Sequence, residues 1–241
     1  QREFALLRSL KHPNIMNVHG ELTFQGRPSF ASEFHSGGSL ERRLFGDHNQ
    51  LWPSVRQQLL WARDLCRALQ YLHSGRKEQS QRTQLKLPAV LHLDVKSANA
   101  VISADNRLVL IDFGLAVEEG EKAQAELVGQ GTAHWMSPEA FGVEYDLSSL
   151  SGGVVGAVEL LPGQHKQEQK QMQSVKAVAR DAADGATVTT ATDVWSFGCV
   201  LIELFGGVRP WSGLKQADIV RALQSQKLPP ELASIEDQAL R

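Results

Sequence analysis

The chain has 241 residues, and 25 lysines and arginines against 27 aspartates and glutamates leave a formal net charge of −2. Apolar residues make up 42% and charged residues 22%, the proportions of a globular chain long enough to bury a sizeable core. This balance disfavours a dedicated nucleic-acid-binding or membrane-surface protein, and no run approaches the ~20 apolar residues of a membrane-spanning helix. Cys66 and Cys199 lie in apolar helical patterns, which predicts buried free thiols and a reducing, cytoplasmic location.

The chain opens with a helical pattern that is followed by a strand pair. Phe4, Leu7 and Leu10 recur at helical spacing until His12-Pro13 stops the pattern, which predicts the end of a helix. Short apolar and β-branched runs between 15 and 34 are divided by a turn that contains Gly and Pro. This division predicts a β-hairpin.

The most regular helical pattern lies between 53 and 73. It follows a flexible Ser-Gly-Gly-Ser joint at 36–39 and a short helix that Ser39 can cap. Apolar residues along the pattern alternate steps of four and three, which predicts one buried stripe. The stripe consists of Val55, Leu59, Ala62, Cys66 and Leu69.

Two stretches have the composition of insertions. Residues 75–87 are polar and hold little that could form a core. Residues 142–190 change from Gly-rich to Gln/Lys-rich to Asp/Ala/Thr-rich, and one helix is expected near 169–180. The other predicted elements are strands at 90–93, 100–103 and 108–111, a buried helix at 192–205 and an amphipathic helix at 216–224.

Three short motifs follow one another in a fixed order. They are His-Leu-Asp-Val-Lys-Ser-Ala-Asn at 92–99, Asp-Phe-Gly at 112–114 and Gly-Thr-Ala-His-Trp-Met-Ser-Pro-Glu at 131–139. Each is weak alone, because Asp-Phe-Gly after an apolar run is usually a turn and a lone histidine is usually a core residue. Together with Thr-Asp-Val-Trp-Ser-Phe-Gly at 192–198, they resemble the signature set of a eukaryotic protein kinase. The sequences of these motifs are most similar to those of the tyrosine-kinase-like group of Ser/Thr kinases.

The resemblance implies an α+β, two-lobed protein-kinase-like fold. An incomplete N-lobe, with one helix, the following strands and a hinge, is expected over 1–35. A mainly helical C-lobe that carries both variable inserts is expected over 36–241. Glu3 stands where the family places the glutamate of its helix αC, and residues 32–35 look like the hinge between the lobes.

The resemblance also implies a reaction, the transfer of the ATP γ-phosphoryl group to protein Ser/Thr hydroxyls. Asp94 is expected to orient the hydroxyl and accept its proton, and Lys96 to neutralise the transferred group. Asn99 and Asp112 offer the oxygen ligands that Mg²⁺ prefers, while ATP phosphates would complete the coordination sphere. Thr132 matches the threonine that Ser/Thr kinases place near the catalytic aspartate. ATP and Mg²⁺ are therefore the expected cofactors, and a protein is the expected substrate.

Nucleotide binding is expected at the hinge. By resemblance, backbone groups of Glu33 and His35 would contact the adenine edge, Ser39 would contact the ribose, and Val101 would pack beneath the adenine ring. The gatekeeper position holds Ser32, a small residue, which predicts an accessible pocket behind it.

A hydrophobic stack is a further feature implied by the resemblance. Leu7, Val18, His92 and Phe113 would form it, and Asp193 would anchor it. Ordinary core packing accounts for the same residues equally well.

Two features depart from the family pattern. The chain begins at the αC-like helix, so the Gly-rich loop and the lysine partner of Glu3 are expected upstream. We therefore expect this chain, as a fragment, to bind ATP poorly and to turn over little. Leu93 replaces the arginine that normally pairs with an activation-loop phosphate. Because Thr132 is the one hydroxyl residue between Gly114 and Ser137, we expect activity that does not depend on phosphorylation of this loop.

Two other interpretations stay open. A pseudokinase would keep the fold and act as a scaffold, which Leu93 and the missing lysine favour. The joint presence of Asp94, Asn99 and Asp112 favours catalysis, because a scaffold needs neither metal ligands nor a base. A partner-binding domain would use the Gln/Lys-rich part of the second insert, residues 164–180, as a docking helix, although such charge runs are usually solvated surface.

Overall fold

The structure is a computed structural model in which the chain divides into two compact units, Gln1–Glu119 and Gly120–Arg241. The lobe boundary near residue 35 stays a prediction. The helix expected near 169–180, and with it the docking helix, lies outside the described residues. Those residues are 2–46, 51–75, 77–80, 83–86, 88–120, 127–144, 188–233 and 235.

The first unit mixes helices with short strand pairs. Its helices are α1 (Arg2–Ser9), α2 (Leu40–Phe45), α3 (Val55–His73) and a 3-10 turn (Ser97–Asn99). Its strands are β1 (Val18–Phe24), β2 (Arg27–Ser32), β3 (Lys77–Ser80), β4 (Thr83–Lys86), β5 (Val90–Leu91), β6 (Ala100–Ile102), β7 (Leu108–Leu110) and β8 (Val117–Glu118). The antiparallel pairs are β1 with β2, β3 with β4, β5 with β8, and β6 with β7.

The hairpin predicted near the start of the chain is confirmed as β1 and β2. Glu21 lies opposite Phe30, and the two-residue turn Gln25-Gly26 joins the strands. Both turn residues have positive φ, 49° and 74°, a conformation that tight hairpin turns need and that favours glycine. The preceding helix α1 ends at Ser9, just before His12-Pro13, where the sequence predicts its end.

Helix α3 forms where the sequence predicts it, but the predicted buried stripe is partly wrong. Val55 is 66% exposed, Leu59 is 57% exposed, and Cys66 is also exposed. The prediction of a buried thiol therefore fails for Cys66. It is confirmed for Cys199, which is buried in the second unit.

Larger and polar side chains decide which side of α3 is buried. The indole N–H of Trp61 donates to the Asn106 carbonyl at 3.1 Å, and the carboxylate of Asp64 accepts from the Leu108 N–H at 3.1 Å. These two bonds attach α3 to β7 and to the turn before it, so the helix is rotated away from the predicted stripe. The buried apolar residues are Trp61, Leu65, Ala68, Leu69 and Leu72.

The polar stretch predicted as an insertion contains regular backbone structure. Strands β3 and β4 pair antiparallel there, with Lys77 opposite Lys86 and Ser80 opposite Thr83. Alternation of apolar and polar residues is absent from this short stretch, so sequence patterning had no signal for the hairpin.

The β6–β7 hairpin joins the first unit together. Val101 lies opposite Val109 in the pair, at strand positions that the sequence predicts. The Met16 N–H donates to the Leu110 carbonyl and the Leu110 N–H donates to the Asn14 carbonyl, both at 2.9 Å. Two backbone bonds to Leu110, one on each side of Ile15, therefore fix the segment after α1 to β7.

The second unit is built around the buried helix that the sequence predicts. Its elements are a 3-10 turn (Glu139–Phe141), α4 (Thr190–Leu201), a π-helical segment (Ile202–Gly206), α5 (Gln216–Gln224) and a second 3-10 turn (Pro230–Leu232). The side chains of Thr189 and Thr192 form a capping box at the start of α4. None of the helices in the described part of the chain combines the length and hydropathy needed to traverse a lipid bilayer.

Polar contacts attach the third sequence motif to α4. The Trp135 indole N–H donates to the fully buried Glu203 carboxylate at 3.0 Å, and the Ser196 hydroxyl donates to the Trp135 carbonyl at 2.7 Å. The Thr192 hydroxyl donates to Glu139 at 2.8 Å. The motif is therefore positioned by side chains of α4 and of the π-helical segment that follows it.

We expect the Trp135–Glu203 contact to matter for stability. Glu203→Met should lower the free energy of unfolding by ~2–4 kcal/mol, because it leaves the buried indole N–H without its acceptor. Urea denaturation followed by circular dichroism measures this loss. Val194→Ala, at a position of α4 that is 56% exposed, is the control, and an equal loss in both variants would contradict the assignment.

Candidate active site

The candidate site begins with the loop that follows β5. His92 is fully buried, and its Nε2 lies 3.1 Å from the Ile111 carbonyl. Its Nδ1 accepts from the Asp94 N–H at 3.3 Å, so Nε2 must carry the ring proton. The ring also meets Phe113 edge-on, with 4.7 Å between ring centres. His92 therefore sets the backbone position of Asp94 and does not reach a substrate itself.

Three predicted site residues converge after this histidine. The Lys96 ammonium donates to Asp94 Oδ2 at 2.6 Å, and the Asn99 amide donates to the same oxygen at 2.9 Å. The Asp94 and Lys96 side chains are 12% and 19% exposed, so the ion pair is only partly screened by solvent. Two donors fix the direction of the Asp94 carboxylate. A group that accepts the proton of a single hydroxyl needs such a fixed direction.

The Asn99 amide is oriented by the same aspartate. Its nitrogen donates to both the Asp94 carbonyl and Asp94 Oδ2, each at 2.9 Å. Because both bonds use the amide nitrogen, the amide oxygen points away from Asp94. That oxygen is the atom that a metal would need.

Asp112 lies next to Asn99 across the end of the β6–β7 hairpin. The Ile111 N–H donates to the Asn99 carbonyl at 2.9 Å, which continues the strand pairing by one residue and places Asp112 just beyond it. Asp112 has a φ of 62°, and its Oδ1 accepts from the Gly114 N–H at 3.3 Å. A Cβ on Gly114 would lie 3.2 Å from that oxygen, so glycine leaves the carboxylate room.

An amide oxygen and a carboxylate are chemically suited to Mg²⁺, so the residues present fit this ion. The described residues contain no group of three or more His, Cys, Asp or Glu side chains that could hold a metal by themselves. A magnesium ion at Asn99 and Asp112 would therefore depend on phosphate oxygens of a nucleotide.

Glu3 lies on α1 beside the Asp-Phe-Gly motif. Burial, and then the neighbouring Asp112 carboxylate, raise the pKa of the Glu3 carboxyl, while a bond from the Phe113 N–H opposes the rise. The predicted αC glutamate is thus brought to the metal-ligand segment. The hydrophobic stack predicted from the sequence has four members in this unit, and all of them are buried: Leu7, Val18, His92 and Phe113.

The predicted hinge is fixed to both neighbouring strands. The Glu33 N–H donates to the Asn17 carbonyl at 3.3 Å, so adenine recognition at this residue would use its carbonyl oxygen. The Gly37 N–H donates to the Ile102 carbonyl at 3.0 Å, and the Ile102 N–H donates to the Gly38 carbonyl at 2.8 Å. These bonds join the hinge to β6.

Ser39 and Val101 are brought together at the end of the hinge. They form an isolated antiparallel bridge, and Val101 remains half-buried. The Ser39 hydroxyl accepts from the Arg42 N–H at 3.2 Å, which confirms its predicted role as the cap of α2. Its contact with a ribose stays a prediction.

Thr132 lies in the second unit, apart from the other predicted site residues in the chain. It is half-buried, and its carbonyl accepts from the Trp135 N–H at 2.9 Å. Its predicted place near Asp94 and Lys96 stays a prediction.

Sequence reasoning missed Asn17 and Gly37. The Asn17 amide accepts from Lys11 at 3.0 Å and donates to the Glu33 carboxylate at 3.3 Å, so it links the segment after α1 to the hinge. A polar residue before a strand carries no signal for such a role. A Cβ on Gly37 would lie 2.5 Å from the Ile102 carbonyl oxygen, and the Gly-Gly pair at 37–38 was the available signal for this close approach.

Comparison with known proteins places the chain in a family. The model of the protein kinase domain matches residues 1–183, and a model of the protein tyrosine and serine/threonine kinase matches residues 157–239. The chain belongs to the protein kinase family. The kinase resemblance that the three motifs carry is therefore confirmed.

Individual relatives are distant and much longer. The chain is 27% identical over 222 residues to the serine/threonine-protein kinase CTR1 of Arabidopsis thaliana, covering 92% of this chain and 21% of that protein. It is 34% identical over 154 residues to the dual specificity testis-specific protein kinase 1 of Homo sapiens, covering 60% of this chain and 22% of that protein. The chain thus spans about a fifth of the length of these relatives.

A solved structure supports the kinase-like fold. The crystal structure of the yeast RNA Pol II CTD kinase CTDK-1 complex contains a chain that matches with a TM-score of 0.60 at 20% identity. The match covers 92% of this chain and 54% of that one. The α+β kinase-like fold implied by the sequence motifs is confirmed.

We expect the close approach at Gly37 to restrict substitution. Gly37→Ala should lower the free energy of unfolding by ~1–3 kcal/mol, because the new methyl group forces the hinge away from β6. Gly20→Ala is a matched control, since its Cβ would meet nothing within 4 Å. Urea denaturation of both variants measures the difference, and similar stabilities would show that the hinge tolerates a side chain here.

Proposed function

We propose that the chain forms the catalytic part of a protein serine/threonine kinase, which transfers the γ-phosphoryl group of ATP to protein hydroxyls. The observation that carries this proposal is the convergence of Lys96 and Asn99 on one oxygen of Asp94. Asp112 stands next to Asn99 across the β6–β7 hairpin. A base, a cation and two oxygen ligands in one place are the groups that phosphoryl transfer needs.

Asp94 has the central role in this mechanism. Its carboxylate would orient the substrate hydroxyl and accept its proton as the oxygen attacks the γ-phosphorus. Lys96, 2.6 Å away, would offset negative charge on the transferred group. Both side chains are held before substrate arrives, so little reorganisation would be needed.

Asn99 and Asp112 would hold Mg²⁺ with the ATP phosphates. The ion supplies charge neutralisation when it is bound. The Asn99 oxygen is directed away from Asp94 by the two bonds of its nitrogen, and the Gly114 N–H orients Asp112. The protein thus separates the base from the metal ligands although all come from one short segment.

ATP would bind along the hinge. The Glu33 carbonyl, the His35 backbone and the half-buried Val101 would surround adenine, and Ser39 would lie near the ribose. The bonds between the hinge and β6 support this proposal because they hold the recognising backbone in one conformation.

A Ser/Thr hydroxyl of a protein substrate is the proposed acceptor, and the proposed location of the chain is the cytoplasm. Lys96 and Thr132 match the pattern of Ser/Thr kinases. Relatives are also named serine/threonine-protein kinases, including those of Arabidopsis thaliana.

A pseudokinase is the second candidate, and Leu93 is the observation that favours it. Leu93 has a φ of 64° and an apolar, half-buried side chain where the family uses arginine. A scaffold would bind nucleotide or partner proteins without phosphoryl transfer. The activity assay below decides between the two functions.

Asp94→Asn is the decisive variant. In the complete protein it should reduce transfer from radiolabelled ATP to a Ser/Thr peptide by at least ~100-fold, because the amide cannot accept the proton. ATP binding, measured by calorimetry with Mg²⁺, should persist.

Asp218→Asn, at an acid that pairs with Arg221 on the surface of α5, is the control. Retained turnover in Asp94→Asn would remove the proposed base. Absence of turnover in the unsubstituted protein, with nucleotide bound, would support the pseudokinase instead.

Leu93 also predicts how the kinase responds to phosphatase. A leucine side chain cannot bind an activation-loop phosphate, so phosphatase treatment of the complete protein should leave its turnover unchanged. Mass spectrometry of residues 114–137 before and after treatment reports the loop itself. Loss of activity together with loss of a phosphate at Thr132 would contradict this prediction.

A further inference from the structure

The first unit contains a cavity of about 710 Å³ bordered by the hinge, the segment leading into β1, and the β6–β7 turn. Such a volume is typical of sites that take a ligand. Its lining includes Ile15, Asn17, Glu33, His35, Asp105 and Val109.

This cavity is different from the proposed nucleotide site. The two share hinge residues Glu33 and His35, which would contact adenine through the backbone. The lining includes none of the other proposed nucleotide residues. Those residues are Ser39, Asn99, Val101 and Asp112.

The cavity has an apolar floor and a polar rim. Ile15 and Val109 are each 4% exposed and form the floor. Nε2 of His35 is buried and has no hydrogen-bond partner among the described residues. Phe34 is 91% exposed at the rim. A ligand that suits these surfaces has an apolar stem and a polar end.

The charges of the rim favour a cation. Its charged side chains are two carboxylates, Glu33 and Asp105, and one guanidinium, Arg107. Arg107 is engaged, because its Nε lies 2.5 Å from Asp105 and its Nη1 donates to the Pro13 carbonyl at 3.3 Å. Glu33 receives one long bond of 3.3 Å from Asn17. The negative charge of Glu33 is therefore the one least compensated within the cavity.

His12, which also lines the cavity, does not change this balance. Burial, and then the nearby Arg67, lower the pKa of His12, so its ring is neutral at pH 7. Lys11 lies outside the lining, and its ammonium donates to Asn17.

We propose that this cavity docks an arginine or lysine side chain carried on an extended peptide of a partner protein. The methylene stem would lie on Ile15 and Val109, and the cationic head would meet Glu33. Phe34 at the rim offers its ring face to a guanidinium. Ile15, Asn17 and His19 alternate along one segment and line the cavity together, which suits an extended chain. Docking requires neither ATP nor phosphoryl transfer, so it is independent of the proposed function.

The test uses the full chain without nucleotide and an array of acetylated heptapeptides with randomised flanks. The central residue is arginine, lysine, citrulline or glutamate, and fluorescence anisotropy measures binding of the best members. Arginine and lysine peptides should bind at least about fivefold more tightly than citrulline peptides, which keep the shape and lose the charge. Equal binding of arginine and citrulline peptides would overturn the proposal.

Two variants locate the site. Glu33→Gln should weaken the arginine peptide by about fivefold, because it removes the uncompensated charge while its amide can still bond to Asn17. Glu21→Gln removes the same charge from an exposed position of β1 outside the lining and should leave affinity unchanged.

Three outcomes would contradict the assignment. They are equal loss in Glu33→Gln and Glu21→Gln, displacement of the peptide by Mg-ATP, and equally tight binding of free N-acetylarginine amide. The first would indicate general charge attraction, the second the nucleotide site, and the third a small-molecule site. Circular dichroism of each variant verifies that the fold persists.

Discussion

The bonds to one carboxylate oxygen are the constraint on which the candidate site depends. Asp94 Oδ2 accepts from both the Lys96 ammonium and the Asn99 amide, and the bonds of the amide nitrogen direct the Asn99 oxygen away from Asp94. A flexible aspartate would spend most of its time turned from an incoming hydroxyl. The ion pair and the amide thus hold the carboxylate of the proposed base in one direction, beside the amide oxygen that is proposed to bind metal.

The β6–β7 hairpin brings the residues of the candidate site together. Its pairing ends with the bond from the Ile111 N–H to the Asn99 carbonyl, so Asn99, just before β6, and Asp112, just after Ile111, lie close together. The same hairpin is hydrogen-bonded to the hinge through Ile102 and to the segment after α1 through Leu110. The proposed nucleotide contacts, the proposed metal ligands and the proposed docking cavity therefore share one short sheet as their support.

Sequence reasoning was most successful where chemistry and spacing act together. The order of Asp94, Asn99 and Asp112 indicated the family, and two short apolar runs on either side of a turn indicated the strands that bring Asn99 and Asp112 together. It failed for Val55 and Leu59, because hydrophobic periodicity cannot weigh two apolar sides of one helix against the bonds of Trp61 and Asp64 to the β6–β7 turn. It also had no means to find Asn17, whose role exists only through contacts distant in sequence.

The backbone conformation of Leu93 lowers the stability of the folded protein. A left-handed backbone at a leucine costs ~1 kcal/mol or more, and the neighbouring His92–Asp94 bond helps to hold it. Glycine or asparagine at position 93 would relieve that strain and raise the free energy of unfolding. The relaxed loop would also sample other conformations. A substitution that stabilises the fold at this position would therefore leave Asp94 less well oriented for the proposed reaction.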